Sequence, residues 1–200
     1  MTIEKFKDCV DTQDTLGAIL AISGIPQLNK TYEELVDETP LTYAAGEGLV
    51  NMVGALIEAG ADVNMPDARY WTALHMTTSI EVIELLIKHG ASIDPETWDG
   101  WTPLHITSVD GDVSRAKLFL ESGANIEAKK NDGWTALHLA AYNNHSKLVE
   151  TLIKAGADSS VKTDNGDTAL DLAVTNENSN VVRILNILSA TQLSRKGIYT

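Results

Sequence analysis

The sequence predicts an all-α solenoid of stacked helix pairs, and two recurrences in phase carry that prediction. A four-residue phrase returns five times, as Thr39-Pro40-Leu41-Thr42, Thr72-Ala73-Leu74-His75, Thr102-Pro103-Leu104-His105, Thr135-Ala136-Leu137-His138 and Thr168-Ala169-Leu170-Asp171, with starts 33, 30, 33 and 33 residues apart. A second landmark recurs in step with it: Leu56-Ile57-Glu58-Ala59-Gly60-Ala61, Leu86-Ile87-Lys88-His89-Gly90-Ala91, Phe119-Leu120-Glu121-Ser122-Gly123-Ala124 and Leu152-Ile153-Lys154-Ala155-Gly156-Ala157. A period of this length marks units that cannot bury an apolar face alone and bury it against their neighbours. The 200 residues are 44% hydrophobic, enough for a sizeable core. A solenoid spreads that core between repeats instead of gathering it around one centre.

Together the two motifs resemble the ankyrin repeat over residues 39–186. The resemblance implies a β-turn finger followed by an antiparallel helix pair in each unit, and so an ankyrin-repeat solenoid of about four full repeats with N- and C-terminal caps. The residue types supply the physical reasons. Thr before a helix accepts from backbone amides that have no partner in the first turn, and Gly after an apolar stretch takes the left-handed conformation that ends one. Ala44, Ala45, Ala140 and Ala141 are small enough to let adjacent pairs approach closely.

In chain order, residues 1–189 form the repeat domain, beginning with an N-terminal cap over 1–38. Phe6 to Val10 and Thr15 to Ile22 have the length and apolar spacing of a degenerate helix pair, with Gly24-Ile25-Pro26 as its stop. Its outer face should be polar, for which Glu4, Lys5, Lys7, Asp8, Asp11 and Asp14 are available. Gln27 to Glu38 is a first, irregular finger. Repeats follow at 39–71, 72–101, 102–134 and 135–167. The second is short by three residues, and aligning Glu81 to Leu86 with its counterparts puts the gap after Thr78, at the end of the inner helix. A C-terminal cap occupies 168–189, where Asp171 replaces His, Asn186 replaces an aliphatic, and Asn176 to Asn180 are polar enough to face water. The tail over 190–200 has no period and is expected to be loosely held. Met1 and the polar substitutions at both ends lead us to expect a complete stack.

The net charge of −13 argues against a nucleic-acid partner, which needs a basic face. The charge is unevenly spread: residues 1–100 carry 17 acidic and 5 basic side chains (−12), and residues 101–200 carry 11 and 10 (−1). That distribution either keeps the surface solvated or steers a basic partner toward the first half. No run reaches the roughly 18 apolar residues that a membrane-spanning helix needs. The opening Met1-Thr2-Ile3-Glu4-Lys5-Phe6-Lys7-Asp8 lacks the apolar core of a secretion signal. A soluble, cytoplasmic monomer is therefore expected. Cys9, the single cysteine, reads as a small helix residue.

No catalytic residue, cofactor site or metal site is legible. His75, His105 and His138 form a regular ladder, but repeats spaced by a helix-packing distance of about 8–10 Å cannot share an ion held at about 2 Å by each nitrogen. In the ankyrin family this histidine bonds finger and helix backbone, and the resemblance assigns it that role. His145 looks like the family's helix-start histidine, and His89 falls in a surface turn. There is no phosphate loop, no G-x-S-x-G and no Cys with a local His and Asn signature. Gly-Ala-Asp at 60–62 and 156–158 reads as the close of an outer helix, so those carboxylates are structural.

The resemblance places partner binding on the finger tips and the exposed side of the inner helix. There the chain offers Arg69, Tyr70, Trp71, Trp98, Asp99, Trp101, Asn131, Asp132 and Trp134 from the fingers, and Asp110, Tyr142 and Asn143 from the inner helices. Trp71, Trp101 and Trp134 precede the phrase's Thr, where they either stiffen the row of fingers or anchor a partner; Trp98 is not asked for by the family pattern. Tyr70 stands in place of a finger glycine, so that finger is expected to be distorted. The implied function is a non-catalytic protein-binding module for a folded, basic partner. An immunity or inhibitor protein that neutralises a toxin or enzyme, and a structural scaffold segment, are the alternatives.

Overall fold

The structure, a computed structural model, describes residues 3–25 and 27–195, with side chains through residue 188. It divides into two compact units, Met1–Trp98 and Asp99–Thr200. Among the described residues all regular elements are helical apart from one isolated bridge, Tyr32 to Glu38.

The first unit contains α1 (Ile3–Asp11), α2 (Thr15–Ile22), a short 3-10 turn (Glu33–Leu35), α3 (Pro40–Gly46), α4 (Val50–Glu58), α5 (Ala73–Met76) and α6 (Ile80–Lys88). Helices α2, α4 and α6 stack as one layer and α3 with α5 as the other. Met52, Val53, Leu56, Val82, Ile83 and Leu86 are fully enclosed between them. Helix α5 has four residues against seven in α3, so the three-residue deletion removes one turn from an inner helix, where the alignment put it. The first helix pair departs from expectation. Its α1 exposes Glu4, Lys5 and Asp8, but α2 exposes Leu16 at 69% and Leu20 at 60%, one turn apart, so this end is only partly polar.

The second unit contains α7 (Pro103–Asp110), α8 (Val113–Glu121), α9 (Ala136–Tyr142), α10 (Ser146–Ala155), α11 (Ala169–Thr175) and α12 (Ser179–Arg195). Inner helices α7, α9 and α11 stack in order, as do outer helices α8, α10 and α12. Ala140 and Ala141 are wholly buried, and their α7 counterparts Thr107 and Ser108 are buried too, their hydroxyls donating to the carbonyls of Pro103 and Leu104 at 2.8 Å. Every inner helix of the repeats in both units starts on a reciprocal cap between the phrase's Thr and its fourth residue, namely Thr42, His75, His105, His138 and Asp171.

Two expectations for the C-terminal end are corrected. Helix α12 runs to Arg195, beyond the point where periodicity fades, while residues 196–200 of the expected tail lie outside the described residues. Asn178 does not face water: it is buried, and its Nδ2 donates to the carbonyls of Ala141 and Tyr142, both at 2.9 Å. One repeat earlier His145 reaches back in the same way, its Nε2 lying 2.7 Å from the carbonyl of Val109. Asparagine therefore performs the histidine's task.

Candidate protein-binding surface

The fingers are five-residue reversals that precede the phrase: Asp67-Ala68-Arg69-Tyr70-Trp71, Thr97-Trp98-Asp99-Gly100-Trp101, Lys130-Asn131-Asp132-Gly133-Trp134 and Thr163-Asp164-Asn165-Gly166-Asp167. The first residue's N–H donates to the fifth residue's carbonyl, at 2.7 Å for Asp67, 3.0 Å for Lys130 and 2.9 Å for Thr163. The fourth residue must take positive φ to turn the chain, and it does so at Gly100 (80°), Gly133 (78°) and Gly166 (89°). Tyr70 adopts φ 65° as well, so its finger keeps the common geometry. The expected distortion is absent, and the backbone strain is carried by Tyr70 itself at about 1–2 kcal/mol.

Neighbouring fingers are tied edge to edge. Ala68 donates to the carbonyl of Asp37 at 3.2 Å in the first unit; Asn131 donates to Asp99 at 3.0 Å and Asp164 to Asp132 at 3.1 Å in the second. A Cβ on Gly133 would stand 2.8 Å from the backbone N of Asp164, and one on Gly100 would stand 3.0 Å from the Cα of Lys130. Glycine is demanded there by contact as well as by φ.

The tryptophan row separates into two kinds. Trp71, Trp101 and Trp134 are half-buried, with ring centroids 5.7, 6.2 and 6.3 Å from the phrase histidine of their own repeat. Trp101 also donates its indole N–H to Asp99 at 2.9 Å, and Trp134 meets the edge of Tyr142 at 5.4 Å. Trp98 is 73% exposed at a finger tip, a position held elsewhere by Ala68, Asn131 and Asp164. Tyr70 is 59% exposed on the preceding finger.

Several of the expected binding residues also brace the scaffold. Arg69 reaches two carboxylates, Asp67 at 3.0 Å and Glu38 at 3.2 Å, and lies 5.9 Å over the Trp71 ring. Burial pushes the Glu38 carboxyl up from its ordinary pKa, with the Arg69 charge opposing the rise. Asp110 accepts from Arg115 at 2.6 Å, and this buried guanidinium is held from its other side by Asp112 at 3.0 Å. Asn143 ends α9 by donating to the carbonyl of Leu139 at 2.9 Å, while Tyr142, Asn131 and Asp132 remain exposed.

The histidine ladder is committed to the backbone. Nδ1 of His105 accepts from the Thr102 N–H at 3.0 Å, which leaves the proton on Nε2 to donate to the Ala128 carbonyl at 3.0 Å. His138 repeats the arrangement with Thr135 and Val161, both at 3.1 Å. Burial lowers the His105 pKa to about 4 and lowers that of His138 too. Among the described residues no three His, Cys, Asp or Glu side chains converge as metal ligands, and no helix is long and apolar enough to cross a membrane.

A notch of roughly 290 Å³ opens in the second unit between the finger and α9, lined by Trp101, Lys130, Asp132, Trp134, Leu139, Tyr142 and Asn143. All but Lys130 and Leu139 are among the residues singled out from the sequence. Lys130 was missed, although a cation at a finger position held elsewhere by Asp67, Thr97 and Thr163 was a visible signal.

Within each unit, capped helix pairs stack and their protruding fingers are tied to one another, an arrangement suited to presenting side chains to another protein. The family model for ankyrin repeats matches the chain in three copies, over residues 15–97, 41–130 and 107–192, and the chain belongs to the ankyrin-repeat family. Ankyrin repeats are generally protein–protein interaction modules and typically non-catalytic. Comparison with curated proteins gives no match.

Proposed function

We propose that this chain is a non-catalytic binding module that docks a folded partner with a basic surface through its fingers and inner-helix face. The carrying observation is Trp98, 73% exposed at a finger tip, where the other fingers carry Ala68, Asn131 and Asp164. A large exposed ring offers a partner much contact area at small entropy cost. It lies in the half of the chain that holds 17 acidic and 5 basic residues, which favours a basic partner and speeds its approach. The same charge supports the finer reading of an immunity or inhibitor protein that neutralises a basic toxin or enzyme. The module is taken to act as a cytoplasmic monomer.

The test is affinity capture with the parent chain and with Trp98→Ala at low and at high salt. A stoichiometric partner that is lost at high salt and weakened by the substitution supports the reading. A captured enzyme whose activity falls in proportion to occupancy makes the chain an inhibitor, and a bridging complex with activity intact makes it a scaffold. A partner held equally by both chains removes Trp98 from the interface.

A further inference from the structure

Lys130 sits in a setting unusual for a surface lysine. Its ammonium lies 5.0 Å from the Trp101 ring centroid and 5.9 Å from that of Trp134, and it is paired with the carboxylate of Asp132. Only 14% of its side chain is exposed, whereas Asp132 is 51% exposed. Two indole faces and a carboxylate therefore converge on one cation. Ring quadrupoles and a paired charge both favour a positive group at that point, and partial burial strengthens both. The wall continues through Tyr142 and Leu139, leaving the roughly 290 Å³ notch beside the lysine head.

We propose that this notch is a subsite for an arginine side chain of the partner, occupied in the free protein by Lys130 as a stand-in. The inference rests on reading the fingers as a docking surface for a basic protein. Arginine suits the walls better than lysine does. Its planar guanidinium lies flat on an indole, sheds water more readily than an ammonium, and presents two parallel N–H donors to both oxygens of one carboxylate. Lys130 engages a single oxygen of Asp132 and, once displaced, regains full hydration on a flexible stem. Because the lysine is tethered beside the site, a lone weakly held cation does not displace it. An arginine delivered by an already docked surface does, since its effective concentration is also high. The stand-in thus makes the subsite selective for arginine presented in register.

The probes are N-acetyl-arginine methylamide and its lysine counterpart, titrated into the parent chain, Lys130→Ala and Lys130→Ala with Asp132→Ala. Tryptophan fluorescence and the indole N–H NMR signals of Trp101 and Trp134 report binding. Both variants keep the 3.0 Å backbone bond from Lys130 to Trp134 that closes the finger; Asp132→Ala also removes the carboxylate oxygen 3.4 Å from the Trp134 N–H, so circular dichroism of each variant accompanies the titration to check that the fold survives. Lys130→Ala is expected to bind the arginine probe saturably and about tenfold more tightly than the parent binds it, with the lysine probe weaker and the double variant losing about tenfold. Absence of saturable binding by Lys130→Ala overturns the subsite. So does binding indifferent to Asp132, or shifts confined to Trp71 and Trp98. The probe needs no partner, so this outcome is independent of affinity capture, and either can fail alone.

Discussion

His105 is expected to make the fold acid-sensitive over a defined window. An exposed histidine titrates near about pH 6.5, whereas burial holds His105 at about 4. Its Nδ1 already accepts from the Thr102 N–H, so a proton placed there would face a donor. Between those values the unfolded chain binds a proton that the folded chain refuses, and stability falls as pH falls. The contribution is whole above about pH 6.5, and below about pH 4 both states are protonated and no more is lost. A gap of about 2.5 pH units at about 1.4 kcal/mol each amounts to about 3.5 kcal/mol in full, of which about 3 kcal/mol is lost by about pH 4. The assay is urea unfolding followed by circular dichroism at steps from about pH 7 to 4, on the parent and on His105→Gln, whose amide can donate to the Ala128 carbonyl without titrating. The parent should lose about 3 kcal/mol more than the variant across this range. His138 is displaced in the same direction in both chains and cancels. If the two stability curves run parallel, His105 titrates alike in both states and the account of its burial is wrong.

Leu137→Ala should cost about 2–5 kcal/mol, because the side chain is 2% exposed inside the stack; a melting curve that overlays the parent's would place it outside the core. Gly60→Ala, at φ 97° with no atom within 4 Å of the added carbon, should lose only the backbone cost of about 1–2 kcal/mol. Gly133→Ala should lose at least about 1 kcal/mol more by meeting Asp164, and equal urea midpoints for the two would show that adjacent fingers do not touch. Trp101→Ala should destabilise by about 1–2 kcal/mol, since its ring packs on His105, whereas Trp98→Ala should stay within about 0.5 kcal/mol. Thermal midpoints that move alike would deny the division between the two.

The helix ends were legible because Thr and Gly there answer purely local demands, unpaired amides and a left-handed turn. The shortened α5 was legible for the same reason, as three missing residues can only come out of one place in a unit whose landmarks stay aligned. What escaped depends on a neighbouring repeat. Asn178 looks solvent-facing until the carbonyls of Ala141 and Tyr142 are brought opposite it, 37 and 36 residues upstream. Lys130 looks like an ordinary finger cation until the Trp101 ring arrives from the preceding finger. Tyr70 was read by propensity alone, and the bond from its N–H to the Asp67 carbonyl at 3.1 Å shows the turn prevailing over the side chain's preference. Leu16 and Leu20 carry the spacing of a buried stripe, so sequence pattern does not reveal their exposure.

The closeness of Gly100 and Gly133 to the next finger has a consequence for how tightly these loops can grip. A pliable loop must surrender its freedom when it is seized, and that loss comes off the affinity. Here the surrender happens during folding: the Lys130 reversal, for one, is clamped by its own closing bond and by backbone bonds to the finger on either side. Substituting side chains at the tips should therefore alter how long a complex lasts much more than how fast it forms.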